Sequence, residues 1–509
     1  MDSGPRFRYR PDIDGLRAIA VLGVLCFHAG LGFPGGYVGV DVFFVISGFL
    51  ITNLIVKDLR NGTFSFLGFW ERRIRRILPA LAVIVVVVAA FGWVTMVATD
   101  FEILGKQVIA LIFCASNIKF WRETGYFDTS AEEKPLLHTW TLSVEEQFYF
   151  IIPILLFFLF RFRRPSWAFG VIALISIFSF AAAVYGSYNY PSAAFYLLPT
   201  RMWELGIGSL LAFAKPLRHC ALRQISSVLG ILLIGVAYFL YPQYIRFPGA
   251  WALPPTLGAG LLIWAGMSET RYPSVNRFLT LKPLVGIGLI SYSLYLWHWP
   301  IFAFQRYLGY PVDDPFIQSL ISVVAFLPAW VSWRFVERPF RKKAVFAERQ
   351  GIFWFGGSMG FLGLAFGICS MLLSGIPQRM PAKLQTMAAT SDFKATFRKK
   401  ERDDFSLNAG RIRTAKIGTW KSNRPLDFAI WGDSHAMSLG LVFDTKAESL
   451  GHKGLFVANP STLPLTGVFM PDRSPPDQHR REMMDLILRE KPQRIFLVGR
   501  WASYVLGPS

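Results

Sequence analysis

Residues 10–28 read RPDIDGLRAIAVLGVLCFH, an apolar run of helical length with an arginine near its start and a histidine at its end. Arg17 and His28 are eleven residues apart, which is about 1100° of helical rotation and only about 20° more than three full turns. Both side chains are therefore predicted to project from one face of the same helix, about 16 Å apart along its axis. A fixed cation and a titratable base inside one apolar helix indicate a functional membrane segment.

The composition of the whole chain indicates a membrane protein. Hydrophobic residues make up 53% of the 509 residues and charged residues 17%, against about 25% charged residues in an average globular chain. The 53 Lys and Arg outnumber the 33 Asp and Glu, and the formal net charge is +20. A soluble nucleic-acid binder would fit this charge but not the apolar excess. The four cysteines show no paired spacing and no His-Glu-x-x-His pattern occurs, so neither a disulfide framework nor a metal site is expected.

Eleven apolar stretches, each close to the roughly 20 residues that cross a bilayer, follow one another along the chain. They lie at about 14–33, 38–56, 77–99, 140–160, 167–186, 196–214, 224–241, 251–267, 283–304, 316–336 and 352–374. The shorter stretch 105–118 is predicted to be interfacial or re-entrant. With the N-terminus in the cytoplasm, the inward segments carry 23 Lys and Arg and the short outward loops carry 6, as the positive-inside rule requires. We therefore predict a polytopic α-helical protein with about 11 spans, a cytoplasmic N-terminus and an extracytoplasmic tail.

The tail differs from the rest of the chain because it is polar. After a charged linker, short segments predict strands at 428–431, 454–458 and 494–498 and helices at 436–450 and 478–490. This alternation is typical of a parallel α/β sheet. The predicted domains are a transmembrane domain with ten spans at 1–345, an additional transmembrane helix at 346–376, a periplasmic linker at 377–425 and a partial α/β domain at 426–509.

Ionisable residues inside predicted spans are costly and are therefore candidates for function. His138 and Glu145 are seven residues apart and share a face if the fourth span begins that early, whereas Glu146 points elsewhere. Asp41 begins the second span at the predicted level of His28. A histidine with a nearby carboxylate is the usual apparatus for deprotonating a hydroxyl. The same residue types form relays in ion-coupled transporters, so transport is the alternative.

Two groups of charged residues are open to more than one interpretation. The first group stands in the predicted loop 57–76 and consists of Arg72, Arg73, Arg75 and Arg76. It could bind anionic lipid headgroups or hold a phosphorylated ligand by bidentate hydrogen bonds, and charge alone favours lipid. In the second group, Arg201 and Glu204 could be functional or could only fasten helices together.

These segments together resemble the acyltransferase-3 family of membrane O-acyltransferases over about residues 8–345. The resemblance is carried by 10–22 with His28, GGYVGVDVFFVISGFLIT at 35–52, the arginine group at 72–76, HTWTLSVEEQFY at 138–149, RMWELG at 201–206 and SYSLYLWHWP at 291–300. Position by position, it implies that Arg17 and His28 are the family's essential basic–histidine pair. It also implies that the arginine group is the donor-side motif, in place of a lipid site. His138 and Glu145 match a further polar motif, and the resemblance does not decide between Glu145 and Glu146.

The tail carries GDSH at 432–435 directly after a predicted strand. A serine on a tight strand-to-helix turn has an exposed hydroxyl, and the neighbouring N–H groups can form an oxyanion hole. Fused to this membrane domain, the motif resembles the SGNH hydrolase/transferase fold. That fusion is typical of polysaccharide, O-antigen and peptidoglycan O-acetylases.

Two features of the tail depart from the SGNH pattern. The Asp-x-x-His that supplies the base for Ser434 is absent, because the DQH at 477–479 has the wrong spacing. LVGRWAS stands at 497–503, where an asparagine motif is expected. We therefore expect the chain to be truncated, or its tail to be incomplete and inactive as it stands.

The resemblance implies an O-acetyltransferase that moves an acetyl group from cytoplasmic acetyl-CoA to a hydroxyl of an extracytoplasmic glycan, such as lipid-linked O-antigen or another surface polysaccharide. The expected partners are acetyl-CoA, the glycan and membrane lipids, without nucleic acid or metal. The expected location is the bacterial inner membrane, with the tail in the periplasm. His28, oriented by Asp41 or Glu145, is expected to act as general base or acyl relay. The catalytic candidates are His28, Asp41, His138, Glu145, Glu146 and Ser434, and the donor-binding candidates are Arg17, Arg72, Arg73, Arg75 and Arg76.

Two other functions are left open by the sequence. The membrane part could only transport acetyl groups or a lipid-linked sugar, and the tail could be a glycan-binding module. Neither the sugar nor the acylated hydroxyl can be inferred from the outer loops.

Overall fold

The chain forms two compact units in a computed structural model. The structure describes residues 9–123, 131–162, 164–242, 245–268, 271–381, 413–420, 425–432, 434–458 and 477–499. The first unit comprises residues 1–124 and 128–376, and the second comprises 125–127 and 377–509.

The described part of the first unit is helical. Its first ten helices are α1 (Pro11–His28), α2 (Gly39–Arg60), α3 (Phe66–Thr95), α4 (Ala98–Ile112), α5 (Ser116–Arg122), α6 (Thr139–Arg161), α7 (Trp167–Asn189), α8 (Pro191–Tyr196), α9 (Leu198–Leu211) and α10 (Cys220–Leu240). They are followed by α11 (Leu253–Ala265), α12 (Ser274–Leu279), α13 (Lys282–Tyr307), α14 (Pro315–Val324), α15 (Phe326–Ser332), a π-helical turn (Trp333–Glu337), α16 (Arg338–Arg341) and α17 (Arg349–Leu372). Short 3₁₀ turns of this unit lie at Gly36–Val38, Ala131–Glu133 and Gly249–Ala252, and one of the second unit lies at Pro377–Arg379. Every predicted span overlaps one of these helices.

Seven helical segments in the described ranges are long and apolar enough to cross a membrane. They are Gly36–Arg60, Phe66–Thr95, Thr139–Arg161, Trp167–Asn189, Cys220–Leu240, Pro315–Arg341 and Arg349–Leu372. The predicted spans in α1, α9, α11 and α13 fall outside this set because these helices are short or carry several polar side chains. A multi-pass membrane protein is therefore confirmed, while the count of eleven spans and the cytoplasmic N-terminus stay predictions.

The third span begins earlier than the apolar pattern predicts. α3 starts at Phe66, and the Ser65 hydroxyl caps it by accepting a hydrogen bond from Gly68 N at 3.3 Å. The arginine group therefore lies within the first turns of α3, and its predicted placement in a loop was wrong. The prediction placed the start of the helix too late because it counted only apolar residues. It therefore left out the charged first turns, although arginine is a good helix former. The stretch 105–118 is likewise divided between α4 and α5, with a positive φ of 52° at Cys114 between them.

Helices α2 and α9 approach each other backbone to backbone. A Cβ on Gly48 would lie 1.9 Å from Leu205 O, and a Cβ on Gly208 would lie 2.0 Å from Val45 O. In the same interface the Thr52 hydroxyl donates to Ser209 Oγ at 2.8 Å. Small residues at a helix crossing allow the close van der Waals contact and side-chain hydrogen bonds that hold helices together in apolar surroundings.

The described part of the second unit contains a four-stranded sheet with one helix on each face. The elements are β1 (Arg413–Gly418), β2 (Phe428–Gly432), α18 (Ser434–Ser449), β3 (Lys453–Ala458), α19 (Asp477–Arg489) and β4 (Arg494–Val498). The strand order is β1-β3-β2-β4, with β2 parallel to β3 and β4. Ile430 and Phe456 pack in a core with Ala436 of α18, whereas Trp431 packs in a core with Ile487 of α19.

The parallel part of the sheet agrees with the sequence, but the predicted linker is too long. β1 lies inside the range 377–425 and pairs antiparallel with β3, so the sheet is mixed. The segment RTAKIG is short, and its lysine interrupts the apolar residues. Ala415 and Ile417 nevertheless alternate inward and are buried, which is the pattern of a strand covered on one face.

The glycine contact between α2 and α9 predicts a stability difference between two alanine variants. Gly208→Ala is expected to lower the melting temperature of the detergent-solubilised protein, because the methyl group meets a backbone carbonyl and such overpacking costs about 1–3 kcal/mol. Gly357→Ala in α17 is the matched control, since nothing lies within 4 Å of a Cβ there. Equal melting temperatures for both variants would contradict the interface. Thermal unfolding monitored by size-exclusion chromatography measures the difference.

Candidate active site

A cavity of about 390 Å³ lies among α1, α2, α3, α6 and α13. Along α2 its wall extends from Val40 to Asp58, which corresponds to about 27 Å of helical rise. The cavity is therefore long and narrow, and its two ends are lined by different kinds of side chain.

One end of the cavity is basic. Arg17, Arg73 and Arg76 line it together with Lys57. The first two guanidinium groups are more than nine-tenths buried. Asp14 Oδ1 lies 3.3 Å from Arg17 Nη1 and orients that side chain. Several cations converging on one cavity form a site for an anionic ligand, because arginine matches phosphate and carboxylate groups.

The four arginines of the group on α3 differ in whether they line the cavity. Arg73 and Arg76 face the cavity. Arg72 Nη2 instead pairs with Asp58 Oδ2 at 2.8 Å and is exposed, while Arg75 Nε pairs with Glu71 Oε1 at 3.0 Å. Arg72 is an i, i+4 neighbour of Arg76 on α3, but it does not line the cavity. The structure therefore brings two of the four arginines of this group to the site.

Arg75 and Glu71 tie α3 to the segment that leads into α17. The Arg75 guanidinium donates to the backbone carbonyls of Val345, Ala347 and Glu348 at 3.2–3.4 Å. Glu71 also forms ion pairs with Lys343 at 3.0 Å and Arg349 at 3.1 Å. These contacts are structural and hold the basic end of the cavity in place.

The two adjacent glutamates of α6 have different surroundings. Glu145 lines the cavity and accepts hydrogen bonds from Ser47 Oγ at 2.8 Å and from the Tyr149 hydroxyl at 3.0 Å. Glu146 faces a second, apolar cavity of about 550 Å³ among α3, α4, α6 and α17, which Arg73 also lines. The structure thus brings Glu145, and not Glu146, to the first cavity.

Three histidines meet beyond the other end of the cavity. His298 of α13 lies between His28 of α1 and His138, which caps α6, with ring centroids 5.6 Å and 6.0 Å away. Tyr295 links this group to the cavity, because it lines the wall and its ring lies 5.3 Å from that of His298. Arg17 therefore lines the cavity at its basic end, whereas His28 does not line it and is connected to the other end through His298 and Tyr295. Among the described residues, no group of three or more His, Cys, Asp or Glu side chains could hold a metal ion.

His298 and Tyr295 are not among the catalytic candidates that the sequence provides. The signal for His298 was present, since a histidine inside the apolar span 283–304 is as costly as His28. The sequence could not show which helices are neighbours, however, and the nearness of α13 to α1 and α6 is what makes the residue part of the site.

Asp41 does not lie beside His28 and instead belongs to a buried ion group. Arg201 Nη1 donates to Asp41 Oδ1 and to Glu204 Oε1, each at 2.9 Å, and all three side chains are at most 1% exposed. Arg201 Nε also donates to Phe195 O at 3.0 Å. The predicted orientation of His28 by Asp41 is therefore wrong, because the guanidinium of α9 takes the carboxylate. Arg201 and Glu204 could be functional or purely structural, and the geometry favours the structural interpretation, in which they hold helices together.

A strand ends and a helix begins on either side of Asp433, where the sequence predicts a strand-to-helix turn. β2 ends at Gly432 and α18 begins at Ser434. A Cβ on Gly432 would lie 2.2 Å from Val498 O and 2.3 Å from Ala436 Cβ, so only glycine fits at this turn. Asp433 and the side chains of Ser434 and His435 lie outside the described residues, as do the side chains of 477–479.

The helices, the cavity and the tail define a multi-pass membrane protein with a buried polar site and a C-terminal α/β unit. The sequence profile of an acyltransferase domain matches residues 10–334. The profile of the SGNH domain that is fused to such domains matches residues 398–509. The chain belongs to the acyltransferase-3 family and carries the SGNH domain that is fused to it.

Curated relatives share this architecture. The O-acetyltransferase OatA of Staphylococcus aureus (strain NCTC 8325 / PS 47) is 33% identical over 362 residues, covering 66% of this chain and 58% of the relative. The peptidoglycan O-acetyltransferase OatA of Listeria monocytogenes serovar 1/2a is 32% identical over 351 residues, covering 66% of this chain and 56% of the relative. The chain thus spans less than three-fifths of the length of these relatives. No solved structure matches it.

The buried ion group predicts a large loss of stability when its cation is removed. Arg201→Met leaves two buried carboxylates without a counter-charge, which costs about 3–5 kcal/mol. The yield and melting temperature of the detergent-solubilised protein should fall sharply. Arg72→Met is the matched control, because exposed ion pairs are worth about 0–1 kcal/mol.

A triple variant separates charge from packing in the same group. Adding Asp41→Asn and Glu204→Gln to Arg201→Met removes the uncompensated charge and should recover part of the lost stability. A triple variant that is less stable than Arg201→Met alone would show that the contacts of Arg201 act through shape and not through charge.

Proposed function

We propose that this protein is a membrane O-acetyltransferase that transfers the acetyl group of acetyl-CoA to a hydroxyl of a cell-surface glycan. The observation that carries the proposal is one cavity with arginines at its basic end and a histidine group beyond its other end. Membership of the acyltransferase-3 family supports the reaction class, and the printed activities of the relatives support the acetyl group.

Acetyl-CoA fits the proposal because it carries phosphates at one end and a thioester at the other, and the cavity is basic at one end and adjoins the histidine group at the other. Its phosphates would be held by Arg17, Arg73 and Arg76, since guanidinium groups bind phosphate oxygens bidentately. Its flexible arm would extend along the cavity, and about 27 Å of wall on α2 gives it room. The thioester would then lie near Tyr295, on the side of the histidine group. In the membrane, this corresponds to entry from the cytoplasm.

His28 is the proposed general base. It takes the proton of the acceptor hydroxyl while the oxygen attacks the thioester carbonyl, and CoA leaves as the thiolate. Glu145 accepts hydrogen bonds from Ser47 and Tyr149, so we do not assign it as the carboxylate partner of His28. We assign to it a role in the wall that the CoA arm contacts.

The acceptor is proposed to be an envelope glycan on the outer side of the membrane. The Listeria relative is named for peptidoglycan, and the sequence also resembles O-antigen acetylases. Both are bacterial envelope glycans with free hydroxyls. Where the SGNH domain is complete, the acetyl group is proposed to pass on to the glycan through Ser434 at the start of α18, whereas the transfer that releases CoA at His28 does not require Ser434.

The central prediction is that CoA release depends on His28. Inverted membrane vesicles from cells that produce the full chain contain native acceptors and expose the cytoplasmic face to acetyl-CoA. His28→Ala should lower CoA release from acetyl-CoA by at least about 100-fold, the typical loss for a general base. His219→Ala is the matched control, because that residue is exposed and caps α10 away from the cavity.

Several outcomes distinguish the alternatives. CoA release that is unchanged in a folded His28→Ala protein would refute the assignment. Acetyl-CoA binding without CoA release in the unmodified protein would favour a transporter. Ester-linked acetate, measured separately on peptidoglycan and on other envelope polysaccharide, identifies the acceptor. Ser434→Ala should keep CoA release and lose glycan acetate, whereas retention of both would mean direct transfer.

The arginines of α3 that line the cavity are predicted to respond differently from Arg72, which does not line it. Arg73→Gln and Arg76→Gln should each raise the KM for acetyl-CoA about 10-fold or more, because a hydrogen bond to a charged group is worth about 1.5–3 kcal/mol. Added salt should affect these variants less than the unmodified protein. Arg72→Gln is the control, because Arg72 is exposed and does not line the cavity, and it should leave KM unchanged. Equal effects of all three substitutions would contradict the assignment of Arg73 and Arg76 to the donor.

A further inference from the structure

His298 occupies the central position in the histidine group. Its ring centroid is 5.6 Å from that of His28 and 6.0 Å from that of His138. Its side chain is 1% exposed. Rings at such separations are within reach of a single bridging water molecule. A proton held by His28 therefore has a second imidazole next to it.

The backbone fixes the tautomer of His298. Its Nδ1 lies 2.7 Å from Tyr295 O in the preceding turn of α13. A carbonyl oxygen can only accept, so Nδ1 carries the hydrogen and Nε2 presents a lone pair. Nε2 is buried and has no hydrogen-bond partner among the described residues. The structure thus holds an imidazole in the form that accepts a proton, with its accepting atom free.

Tyr295 connects His298 to the cavity. Its hydroxyl lies 2.9 Å from Thr141 Oγ1 and donates to His138 O at 3.2 Å. Both Tyr295 and Thr141 line the cavity wall. His298 is therefore next both to His28 and to Tyr295, which lines the end of the cavity where the proposed thioester lies.

We propose that His298 relays the proton between His28 and the CoA sulfur during acetyl transfer, an inference that rests on the proposed function. The acceptor oxygen forms its bond to the acetyl carbon and gives its proton to His28. The carbon–sulfur bond breaks, and its electron pair stays on sulfur as a thiolate. His28 passes the proton to Nε2 of His298, which gives it to the thiolate. One proton has moved from oxygen to sulfur, and both imidazoles return to their neutral forms.

This assignment makes His298 a relay that acts through His28. An imidazole that stays neutral at rest can accept and release a proton within one turnover, which is the requirement for such a role. If His298 were purely structural, it would have the same packing and the same hydrogen bond to Tyr295 O. Turnover would then not depend on the proton affinity of the group at this position. The test must therefore vary proton affinity and leave shape unchanged.

The first measurement is CoA release by inverted membrane vesicles with the full chain and acetyl-CoA. His298→Gln keeps an amide N–H toward Tyr295 O but cannot carry a proton. We expect turnover to fall about 100-fold, with the KM for acetyl-CoA unchanged. A His298→Gln protein with full turnover would overturn the relay.

The second measurement is chemical rescue, which does not rely on His298→Gln being well folded. His298→Gly leaves room for a free imidazole, and we add a series of substituted imidazoles of similar size and different basicity. Rescue whose rate changes systematically with the basicity of the imidazole supports proton transfer. Rescue independent of basicity, or no rescue by any imidazole, overturns it. His219→Gly is the control and should neither lose turnover nor respond to imidazole.

The CoA-release measurement distinguishes failure of the relay from failure of the proposed function. An unmodified protein that releases CoA, together with a His298→Gln variant of equal rate, leaves the proposed function standing and removes the relay. An unmodified protein that releases no CoA removes both.

Discussion

The constraint on which the first unit depends is that a charge inside an apolar helix bundle must be paired or must face a cavity. Arg201, Asp41 and Glu204 meet the first condition, since one guanidinium donates to both carboxylates at 2.9 Å with no more than 1% exposure. Such a group contributes less to net stability than its geometry suggests, because desolvation offsets much of the attraction. Its effect is on specificity, since α2 and α9 have one register in which Arg201 reaches both carboxylates. Gly48 and Gly208 then bring the two helices into contact in that register.

Arg17 and Arg73 meet the second condition, because they face the first cavity. The same cavity ends near Tyr295, beside three histidines that are packed among aromatic rings, such as Trp299 at 4.6 Å from His28. The first cavity thus has arginines at one end and the histidine group beyond the other. A channel that brings a fixed charge and a titratable group to opposite ends can hold a long ligand in one orientation only. This is the physical basis for assigning the two ends to the two parts of an acyl donor.

The sequence could predict the features that depend on local pattern. The shared face of Arg17 and His28, the helices that overlap the predicted spans and the elements of the tail from 428 to 498 all follow from periodicity and turn residues. It could not predict features that depend on which helices become neighbours. Asp41 was assigned to His28 by depth alone, while a guanidinium on α9 lies closer, and His298 was left out because α13 could not be placed beside α1. The arginine group was misplaced for a different reason, since hydropathy does not distinguish a charged helical turn from a loop.

Glu71 is synthesised long before two of the basic residues that bind it. Its carboxylate binds Arg75 within α3, but its other partners, Lys343 and Arg349, come more than 270 residues later in the chain. At a synthesis rate of about 5–20 residues per second, roughly 14–55 s separate the appearance of the acid from the appearance of these bases. During that interval the start of α3 lacks the segment 343–349 that fixes it. The basic end of the cavity is therefore completed only when α17 is inserted, so that the bundle acquires its ligand-binding form near the end of its own biosynthesis.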